Sequence, residues 1–349
     1  MEKSSKILVT GANGHVGFNL IKTLQDRGYT NLRVSVRDAQ NPEKSAALRG
    51  LGLTDIVSLD IRDAEAFEQA SAGVDVLFHV AATYRIYTGG ADADRGMIKD
   101  SLDGVRAAMN AAAKQGVSKI VLTSSIVTLP HTAKAQFRPD ETVWATDLRV
   151  PYIRAKTEGE QLAWKLAEEL GLNLVTILPG AILGPNFGKG TQTTDYILAP
   201  MMGSMRLGTI RATLPIIDVR DVVDGHILAA EQDANGRFVI GADDAVEFPE
   251  ILNVMRRVDP KTPKALSVMP RTAMRILPMF DWVTHKLLGT PRIMTREMAQ
   301  TMATGSLVAD NSRAKRELGW HPKIGLEQTL RDTMQELKST HPSRFAAGL

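Results

Sequence analysis

The feature that most constrains the fold of this chain is a glycine-rich turn directly after a short apolar run near the N-terminus. The apolar run Ile7–Val9 leads into the turn Thr10-Gly11-Ala12-Asn13-Gly14-His15-Val16-Gly17. An apolar run followed by glycine predicts a buried strand, and apolar residues at helical spacing after the turn predict a helix. The free N–H groups of the first helical turn would face the glycine turn, which is a preferred position for a pyrophosphate group.

Strand-like and helix-like segments alternate through the first half of the chain. The predicted strands cover residues 7–9, 32–36, 56–59, 74–80, 119–123 and 174–178, and the predicted helices cover 15–28, 42–51, 64–72, 94–115 and 152–170. Short apolar strands that alternate with helices are typical of a parallel sheet covered by helices on both faces. The expected fold class is therefore α/β, a doubly wound parallel-sheet Rossmann domain with a smaller C-terminal substrate-binding cap.

The alternating pattern ends after Pro179, which indicates a domain boundary near residue 178. We expect residues 1–178 to form the dinucleotide-binding domain, with returns near 216–241, and residues 179–349 to form mainly the substrate-binding region and cap. Residues 181–215 are rich in Gly, Pro, Thr and Met, which favours loops around a ligand. Residues 243–305 contain helices interrupted by Pro, and we assign them to the cap.

Composition and charge exclude several classes of function. The chain has 349 residues, with 42 Lys and Arg against 39 Asp and Glu, and it has no Cys. Without Cys there is no disulfide, thiolate metal site or Cys nucleophile, and we predict no bound metal. The basic residues are scattered, which argues against nucleic-acid binding. No run of about 18 apolar residues is present, so we expect a cytoplasmic protein without a membrane span.

The residue that ends the second predicted strand indicates which dinucleotide the turn would bind. Arg37 lies 20 residues after Gly17, where a carboxylate would hydrogen-bond the ribose of NAD. A guanidinium there can bind a 2′-phosphate through two hydrogen bonds, so we expect NADP(H). The neighbouring Asp38 keeps NAD open as a second possible cofactor.

Residues at the ends of the next two predicted strands would complete the cofactor site. Asp60 ends the third strand, where its carboxylate can accept from the adenine amino group, with Ile61 against the ring. The small residues Val80-Ala81-Ala82 end the fourth strand and would let the backbone approach the cofactor closely.

A tyrosine and a lysine four residues apart indicate proton transfer. Tyr152 and Lys156 lie on one face of the predicted helix 152–170. The ordinary pKa of tyrosine is about 10, and a nearby ammonium lowers it, which suits a phenol that protonates a carbonyl oxygen as hydride reaches the carbon. Thr123-Ser124-Ser125 follows at the ligand-binding edge of the sheet, and we take Ser125 as the hydroxyl that orients the carbonyl, with Ser124 second.

With these residues assembled, the chain resembles the extended short-chain dehydrogenases/reductases of the NAD-dependent epimerase/dehydratase superfamily, and among them the dihydroflavonol 4-reductase-like group. Beyond the turn, the resemblance rests on Leu77-Phe78-His79-Val80-Ala81-Ala82, Pro151-Tyr152-x-x-x-Lys156, Leu183-Gly184-Pro185, Asp218-Val219-Arg220-Asp221-Val222-Val223 and Glu317-Leu318-Gly319-Trp320. It implies a Ser125–Tyr152–Lys156 triad, recognition of NADP by Arg37, and reduction of a ketone or aldehyde to an alcohol. The chain departs from the family pattern at Ala155, usually Ser, and at Ser101, often Asn.

The resemblance and the motifs together give one set of expected cofactor contacts. These residues are Gly11, Asn13, Gly14, His15, Val16, Gly17, Arg37, Asp60, Ile61, Val80, Ala81, Ala82, Thr123, Tyr152, Lys156, Pro179, Gly180 and Ile182. The resemblance places the backbone of Pro179 and Gly180 near the nicotinamide.

The candidate substrate residues are mostly apolar, which favours a hydrophobic or aromatic carbonyl compound. They are Thr83, Tyr84, Ile126, Thr128, Pro130, Ile182, Phe187 and members of the stretch 191–215. A nucleotide-sugar epimerase would need cations for a diphosphate, which Arg206 and Arg211 could supply. The sequence also leaves open a 3β-hydroxysteroid dehydrogenase-like oxidation and a non-catalytic NADP-sensing protein.

The segment 269–288 combines Met, Ile, Leu, Phe and Trp with basic residues. We expect a lid over the substrate pocket, because Pro270 and Pro278 interrupt the segment, and an amphipathic helix on a membrane surface is the alternative. The sequence leaves both a monomer and a homodimer open.

Overall fold

The backbone is organised around a parallel sheet of seven strands in a computed structural model that describes residues 1–82, 91–132, 138–188, 190–290, 292, 294, 296–304 and 307–346. The described strands are β1 (Ile7–Thr10), β2 (Leu32–Val36), β3 (Ile56–Ser58), β4 (Val76–His79), β5 (Lys119–Thr123), β6 (Leu174–Pro179), β7 (Ala181–Leu183), β8 (Thr209–Ile210), β9 (Thr213–Leu214), β10 (Ile216–Asp218), β11 (Gly236–Ile240), β12 (Val246–Glu247) and β13 (Val268–Met269).

Helices connect these strands and cover the sheet. The described α-helices are α1 (His15–Asp26), α2 (Pro42–Gly50), α3 (Ala64–Ser71), α4 (Ala91–Gln115), α5 (Pro151–Leu170), α6 (Gln192–Met201), α7 (Val219–Glu231), α8 (Phe248–Val258), α9 (Leu277–Leu288), α10 (Arg296–Thr304), α11 (Ser312–Leu318), α12 (Leu326–Thr340) and α13 (Pro342–Ala346). Short 3₁₀ helices cover Ile126–Thr128 and Arg271–Arg275.

The strand order of the large sheet is β11-β6-β5-β4-β1-β2-β3, and every neighbouring pair in it is parallel. The order reverses between β1 and β4, and such a reversal leaves a crevice at the carboxyl ends of the strands where ligands bind. The predicted α/β fold class, a doubly wound parallel sheet, is confirmed. The predicted strands 32–36 and 119–123 match β2 and β5 residue for residue, whereas the predicted strand 74–80 is shorter in the structure.

Both faces of the sheet are buried, which explains why its strands are apolar throughout. In β1, Ile7 and Val9 pack into the core on the side of α1 and α7, whereas Leu8 packs on the opposite face with residues of α3, α4 and α5. Successive side chains of a strand point to opposite faces, so a strand buried on both sides needs an apolar residue at every position.

The prediction of loops throughout residues 181–215 is wrong, because helix α6 forms there. Thr191 precedes α6, and its hydroxyl accepts the N–H of Thr194 at 3.2 Å. In return, the Thr194 hydroxyl accepts the N–H of Thr191 at 2.7 Å. This reciprocal capping satisfies donors that the first helical turn leaves unpaired, and the apolar residues Tyr196, Ile197 and Leu198 are buried.

Two of the motifs that carry the family resemblance, residues 218–223 and 317–320, contact each other in the folded chain. The indole N–H of Trp320 donates to the backbone carbonyl of Asp221 at 2.8 Å, and the Asp221 carboxylate accepts the N–H groups of Lys323 and Ile324. Asp221 lies in α7, so these bonds hold the chain after α11 against a helix of the central sheet layer. The two motifs, about 100 residues apart in the chain, therefore serve one packing contact.

Candidate active site

A cavity of about 860 Å³ lies at the carboxyl ends of the central strands. Its described wall includes every residue predicted to bind the cofactor or to take part in catalysis: Gly11, Asn13, Gly14, His15, Val16, Gly17, Arg37, Asp60, Ile61, Val80, Ala81, Ala82, Thr123, Ser125, Tyr152, Lys156, Pro179, Gly180 and Ile182. The fold therefore brings the glycine turn and the tyrosine–lysine pair, far apart in sequence, to one space.

The glycine turn has the shape that a pyrophosphate site requires. Gly11 adopts a left-handed conformation with φ of 69°, and a Cβ there would lie 2.9 Å from the Cα of Ala81. A Cβ on Gly17 would overlap the carbonyl oxygen of Gly11. No side chain caps the start of α1, so its first-turn N–H groups and its positive dipole end are directed to the cavity, which fits a dinucleotide phosphate.

His15 anchors the start of α1. Its Nε2–H donates to the carbonyl of Pro185 at 3.1 Å, and the side-chain amide of Asn19 donates to the same oxygen at 3.1 Å. Burial lowers the pKa of His15 to about 4, so the ring is neutral near pH 7. His15 thus joins the phosphate-binding end of α1 to the loop after β7.

The end of β4 is fixed by a buried hydroxyl. Thr10 Oγ1 accepts the backbone N–H groups of Val80 and Ala81, each at 3.1 Å, and it lies 3.0 Å from Nδ1 of His79. Burial lowers the pKa of His79 to about 4, so its Nδ1 can accept the threonine proton. These bonds hold the small residues after β4 against β1, where the cavity wall is backbone.

Cations surround the end of the cavity next to β2 and β3. Arg37, Lys44 and Arg62 all lie in its wall. Arg62 binds both carboxylate oxygens of Asp60, at 2.9 and 2.6 Å, and Asp100 at 3.2 Å. The Arg62 guanidinium lowers the pKa of Asp60 to about 2, so this carboxylate is ionised.

Asp38 is held away from the cofactor site by its own loop. Its Oδ1 accepts the backbone N–H groups of Gln40 at 3.0 Å and Asn41 at 3.3 Å. Asp38 is absent from the described cavity wall, whereas its neighbour Arg37 is present.

Sequence reasoning missed Lys44 and Arg62. Their positions in the sequence could have indicated them, because Lys44 lies in helix α2, which follows β2, and Arg62 comes shortly after β3. Both positions follow strands whose carboxyl ends meet at the same edge of the sheet.

The catalytic candidates come together on α5 and the end of β5. Tyr152, buried at 7% exposure, and Lys156 share one face of α5, and Ser125 follows β5 at the start of a 3₁₀ helix. The Lys156 ammonium donates to the carbonyl of Thr123 at 3.1 Å. Burial lowers the pKa of Lys156 to about 8, and the Glu160 carboxylate opposes this shift. The lysine is therefore charged at neutral pH but is close to titration.

Ser124 also lines the cavity, but a buried carboxylate binds its hydroxyl. Its hydroxyl donates to Glu160 at 2.6 Å. The same carboxylate accepts from the Thr176 hydroxyl at 2.7 Å and from Arg237 Nε at 2.9 Å. This arrangement favours Ser125 over Ser124 as the group that orients a substrate.

The remaining wall of the cavity is largely apolar. It includes Met97, Ile126, Val127, Ile153, Tyr196, Ala212, Leu214, Pro215, Met298 and Leu307. Ile126 and several members of the stretch 191–215 were expected here, whereas Met97 of α4, Met298 of α10 and Leu307 were not. Nothing in the local sequence pattern distinguishes these three from core residues.

Several predicted substrate residues lie elsewhere. Thr128 is fully buried and accepts a hydrogen bond from Arg237 at 2.8 Å, and Phe187 packs edge-on against His15. Neither residue, nor Pro130, is in the described cavity wall. Thr83 and Tyr84 lie outside the described residues.

The segment 269–288 does not form the expected lid in the part of the chain that the structure describes. None of its residues appears in the described cavity wall, which the cap reaches through Met298 and Leu307 instead. Arg206 and Arg211 are also absent from that wall, and Arg211 lies 3.8 Å from Glu247 on the surface.

Comparison with known proteins identifies the family from a family model and from sequence relatives, and finds the same fold in a solved structure. Residues 7–241 match the model of the NAD dependent epimerase/dehydratase family. Cinnamoyl-CoA reductase 1 of Arabidopsis thaliana is 30% identical over 270 residues, which covers 74% of this chain and 76% of the relative. Anthocyanidin reductase of Vitis vinifera is 29% identical over 279 residues, covering 72% and 80%. The crystal structure of gox2253 superimposes with a TM-score of 0.79 at 26% identity, covering 96% of this chain and 98% of the matched chain.

Proposed function

Since the chain belongs to the NAD-dependent epimerase/dehydratase family, we propose that it is an NADPH-dependent reductase that converts a ketone or aldehyde of an apolar, aromatic substrate to an alcohol. It is an NAD(P)-dependent oxidoreductase of the extended short-chain dehydrogenase/reductase type, in the dihydroflavonol 4-reductase-like group. The observation that carries the proposal is the shared cavity, whose wall contains Ser125, Tyr152 and Lys156 together with the glycine turn and many apolar side chains.

The proposed chemistry divides the reaction between the cofactor and three side chains. When bound, the cofactor supplies hydride to the carbonyl carbon of the substrate. The Ser125 hydroxyl donates a hydrogen bond to the carbonyl oxygen and orients it. The Tyr152 phenol gives its proton to that oxygen, and the Lys156 ammonium stabilises the phenolate that remains.

The distribution of charge in the cavity supports NADPH as the cofactor. Arg37 and Lys44 lie at the end that would receive the adenosine ribose, and a 2′-phosphate there would pair with cations. Asp38, the residue that would favour NAD, is engaged with the N–H groups of its own loop.

The apolar wall supports an uncharged aromatic substrate. In the described wall, the Lys and Arg residues are Arg37, Lys44, Arg62 and Lys156, and none of them comes from the stretch 191–215 or from the cap. A nucleotide-sugar epimerase needs cations for the diphosphate of its substrate, so this distribution disfavours epimerase activity. The cinnamoyl group and the anthocyanidin named in cinnamoyl-CoA reductase and anthocyanidin reductase are aromatic, which is consistent with the apolar wall.

The proposed division of the chain follows from the same cavity. Residues 1–178, with the return at 216–241, would hold the cofactor, and most of 179–349 would hold the substrate. Thr191, Tyr196, Leu214 and Met298 from the second region line the same cavity as the proposed catalytic residues of the first.

A substrate panel tests the proposal. NADPH and NADH oxidation would be followed with aromatic aldehydes, aryl ketones, dihydroflavonols, ketosteroids and a UDP-sugar, and the alcohol product identified by mass spectrometry. We expect NADPH-dependent turnover of at least one aromatic carbonyl compound and none of the UDP-sugar. Epimerisation of the UDP-sugar, with retained NAD, would contradict the proposal.

A further inference from the structure

Within the described residues, the largest group of exposed apolar side chains lies on the cap, and its members do not line the active-site cavity. Helix α9 and its preceding residue expose Ile276, Met279, Phe280, Trp282, Leu287 and Leu288, which we call the outer patch. Trp282 is 51% exposed and Leu287 is 78% exposed. None of these residues is in the described wall of the active-site cavity.

The patch extends beyond α9. Leu266 is 79% exposed, and its N–H donates to the carbonyl of Arg206 at 2.9 Å, next to the exposed Leu207. Strand β8, which follows Leu207 in the chain and pairs with β13, also contacts the 3₁₀ helix that leads into α9. The cap thus exposes further apolar side chains on segments that pack next to the start of α9.

Helix α9 has its polarity reversed relative to a helix that packs on a core. At 100° per residue, Ile276, Phe280 and Leu287 lie within an arc of about 40°, and all three are exposed, whereas Trp282 is exposed on a different side of the helix. The acidic residue of α9, Asp281, is buried instead and pairs with Arg292 at 2.5 Å. Its charge is neutralised inside the cap, so α9 presents apolar groups and cations to the outside.

Positive charge is concentrated around the same surface. The sequence from residue 260 to residue 296 has seven Lys and Arg residues and one acidic residue, Asp281, whereas the whole chain has 42 against 39. Lys264, Arg275 and Lys286 are exposed, and no carboxylate in the described part of the chain forms an ion pair with any of them.

We propose that the outer patch docks the protein on an anionic lipid surface, with the apolar face of α9 lying in the headgroup region. An interfacial helix of this type combines aliphatic and aromatic groups with flanking cations. No described helix is long and apolar enough to cross a membrane. The patch would therefore lie on the bilayer.

The charge of the patch argues against a second copy of this chain as the occupant. In a twofold symmetric dimer the same patch meets itself, so the cations around it would face one another. An anionic bilayer supplies the opposite charge over its whole surface, at about 1 kcal/mol for each Lys or Arg close to it. The proposal is independent of the reductase activity, because none of these residues lines the cavity.

Vesicle sedimentation tests the proposal. The full chain would be mixed with vesicles of phosphatidylcholine alone and of phosphatidylcholine with phosphatidylglycerol. We expect binding to the anionic vesicles only, with binding that weakens as salt is added.

Matched variants distinguish binding through the outer patch from nonspecific hydrophobic adsorption to vesicles. Phe280→Glu combined with Leu287→Glu should abolish sedimentation, and Lys286→Gln should weaken it about fivefold. Leu170→Glu is the control, because Leu170 is 40% exposed at the end of α5, outside the patch. The proposal is overturned if the wild-type chain fails to bind anionic vesicles, if Leu170→Glu lowers binding as much as the patch variants, or if the patch variants instead dissociate a dimer seen by analytical ultracentrifugation.

Discussion

At the scale of single residues, the site depends on side chains whose protonation and charge are set by their surroundings. Lys156 is the main example, because burial lowers its pKa to about 8 while Glu160, one turn further along α5, opposes the shift. His15 and His79 are neutral for the same reason, burial, and act as hydrogen-bonding anchors. Of these three groups, the lysine is therefore the one whose pKa lies nearest to neutral pH.

This pKa predicts the pH dependence of the reaction. Lys156 is charged below pH 8 and loses its proton as the pH rises through that value, so the ammonium that assists Tyr152 is lost on the alkaline side. We expect kcat/KM for NADPH-dependent reduction to fall above about pH 8. In Lys156→Arg the cation persists, and the residual activity should lack this alkaline decrease. A wild-type profile that stays flat well past about pH 9 would contradict the role of Lys156.

Arg37 carries the second prediction at this scale. Replacing Arg37 with Ala should weaken NADPH binding by about 30- to 150-fold, because a charged hydrogen-bond pair contributes about 2–3 kcal/mol, and should leave NADH binding nearly unchanged. Dissociation constants for both cofactors, measured by fluorescence titration, decide this. Arg49→Ala is the control, since Arg49 is an exposed arginine of α2 outside the described cavity wall. Equal losses for the two cofactors would remove the case for a phosphate-binding arginine.

At the scale of secondary structure elements, a buried ion pair connects the helix that carries the proposed catalytic residues, Tyr152 and Lys156, to the sheet. Glu160 of α5 accepts from Arg237 of β11, Thr176 of β6 and Ser124 after β5. Arg237 also donates to the backbone carbonyls of Glu141 and Val143 and stacks on the Trp144 ring at 3.6 Å. One pair of charges thus connects α5 to the sheet.

Breaking this pair should destabilise the protein strongly. Arg237→Met leaves the Glu160 carboxylate buried without its counter-charge, which typically costs about 3–5 kcal/mol of unfolding free energy. Arg154→Met is the matched control, because Arg154 is exposed on the same helix and pairs with Glu158, a contact typically contributing under about 0.5 kcal/mol. Urea denaturation of both variants measures the difference. Similar losses would show that the buried pair does not hold α5 in place.

At the scale of the whole molecule, the sequence predicted the sheet and the catalytic edge because both depend on local patterns. The apolar positions of β1 and the glycines of the turn lie close together in the chain, and Tyr152 and Lys156 lie about one helical turn apart. The wall opposite the triad was not predictable in this way. Met97 and Met298 reach the cavity from helices α4 and α10, and only tertiary packing decides which methionine faces a ligand.

The difference between local sequence patterns and tertiary packing also explains why the predictions of loops at 181–215 and of a lid at 269–288 were wrong. The capping of α6 by Thr191 and Thr194 could have been recognised from the sequence, since it depends on residues three apart. The outward orientation of α9 could not, because it depends on which of its faces the rest of the cap covers. The expectation of a lid assumed that an apolar segment near the substrate region contacts the substrate, whereas the apolar side chains of α9 are exposed and do not line the described cavity wall.

The measurement that tests the central claim most directly is a comparison of Tyr152→Phe with the wild-type chain. The substitution removes only the phenol oxygen of a buried ring, so NADPH binding and thermal stability should stay close to those of the wild type. Turnover of the best carbonyl substrate from the panel should fall by at least about a hundredfold, because the proton donor is gone. Retained turnover in Tyr152→Phe, with NADPH bound normally, would contradict the assignment of Tyr152 as the proton donor.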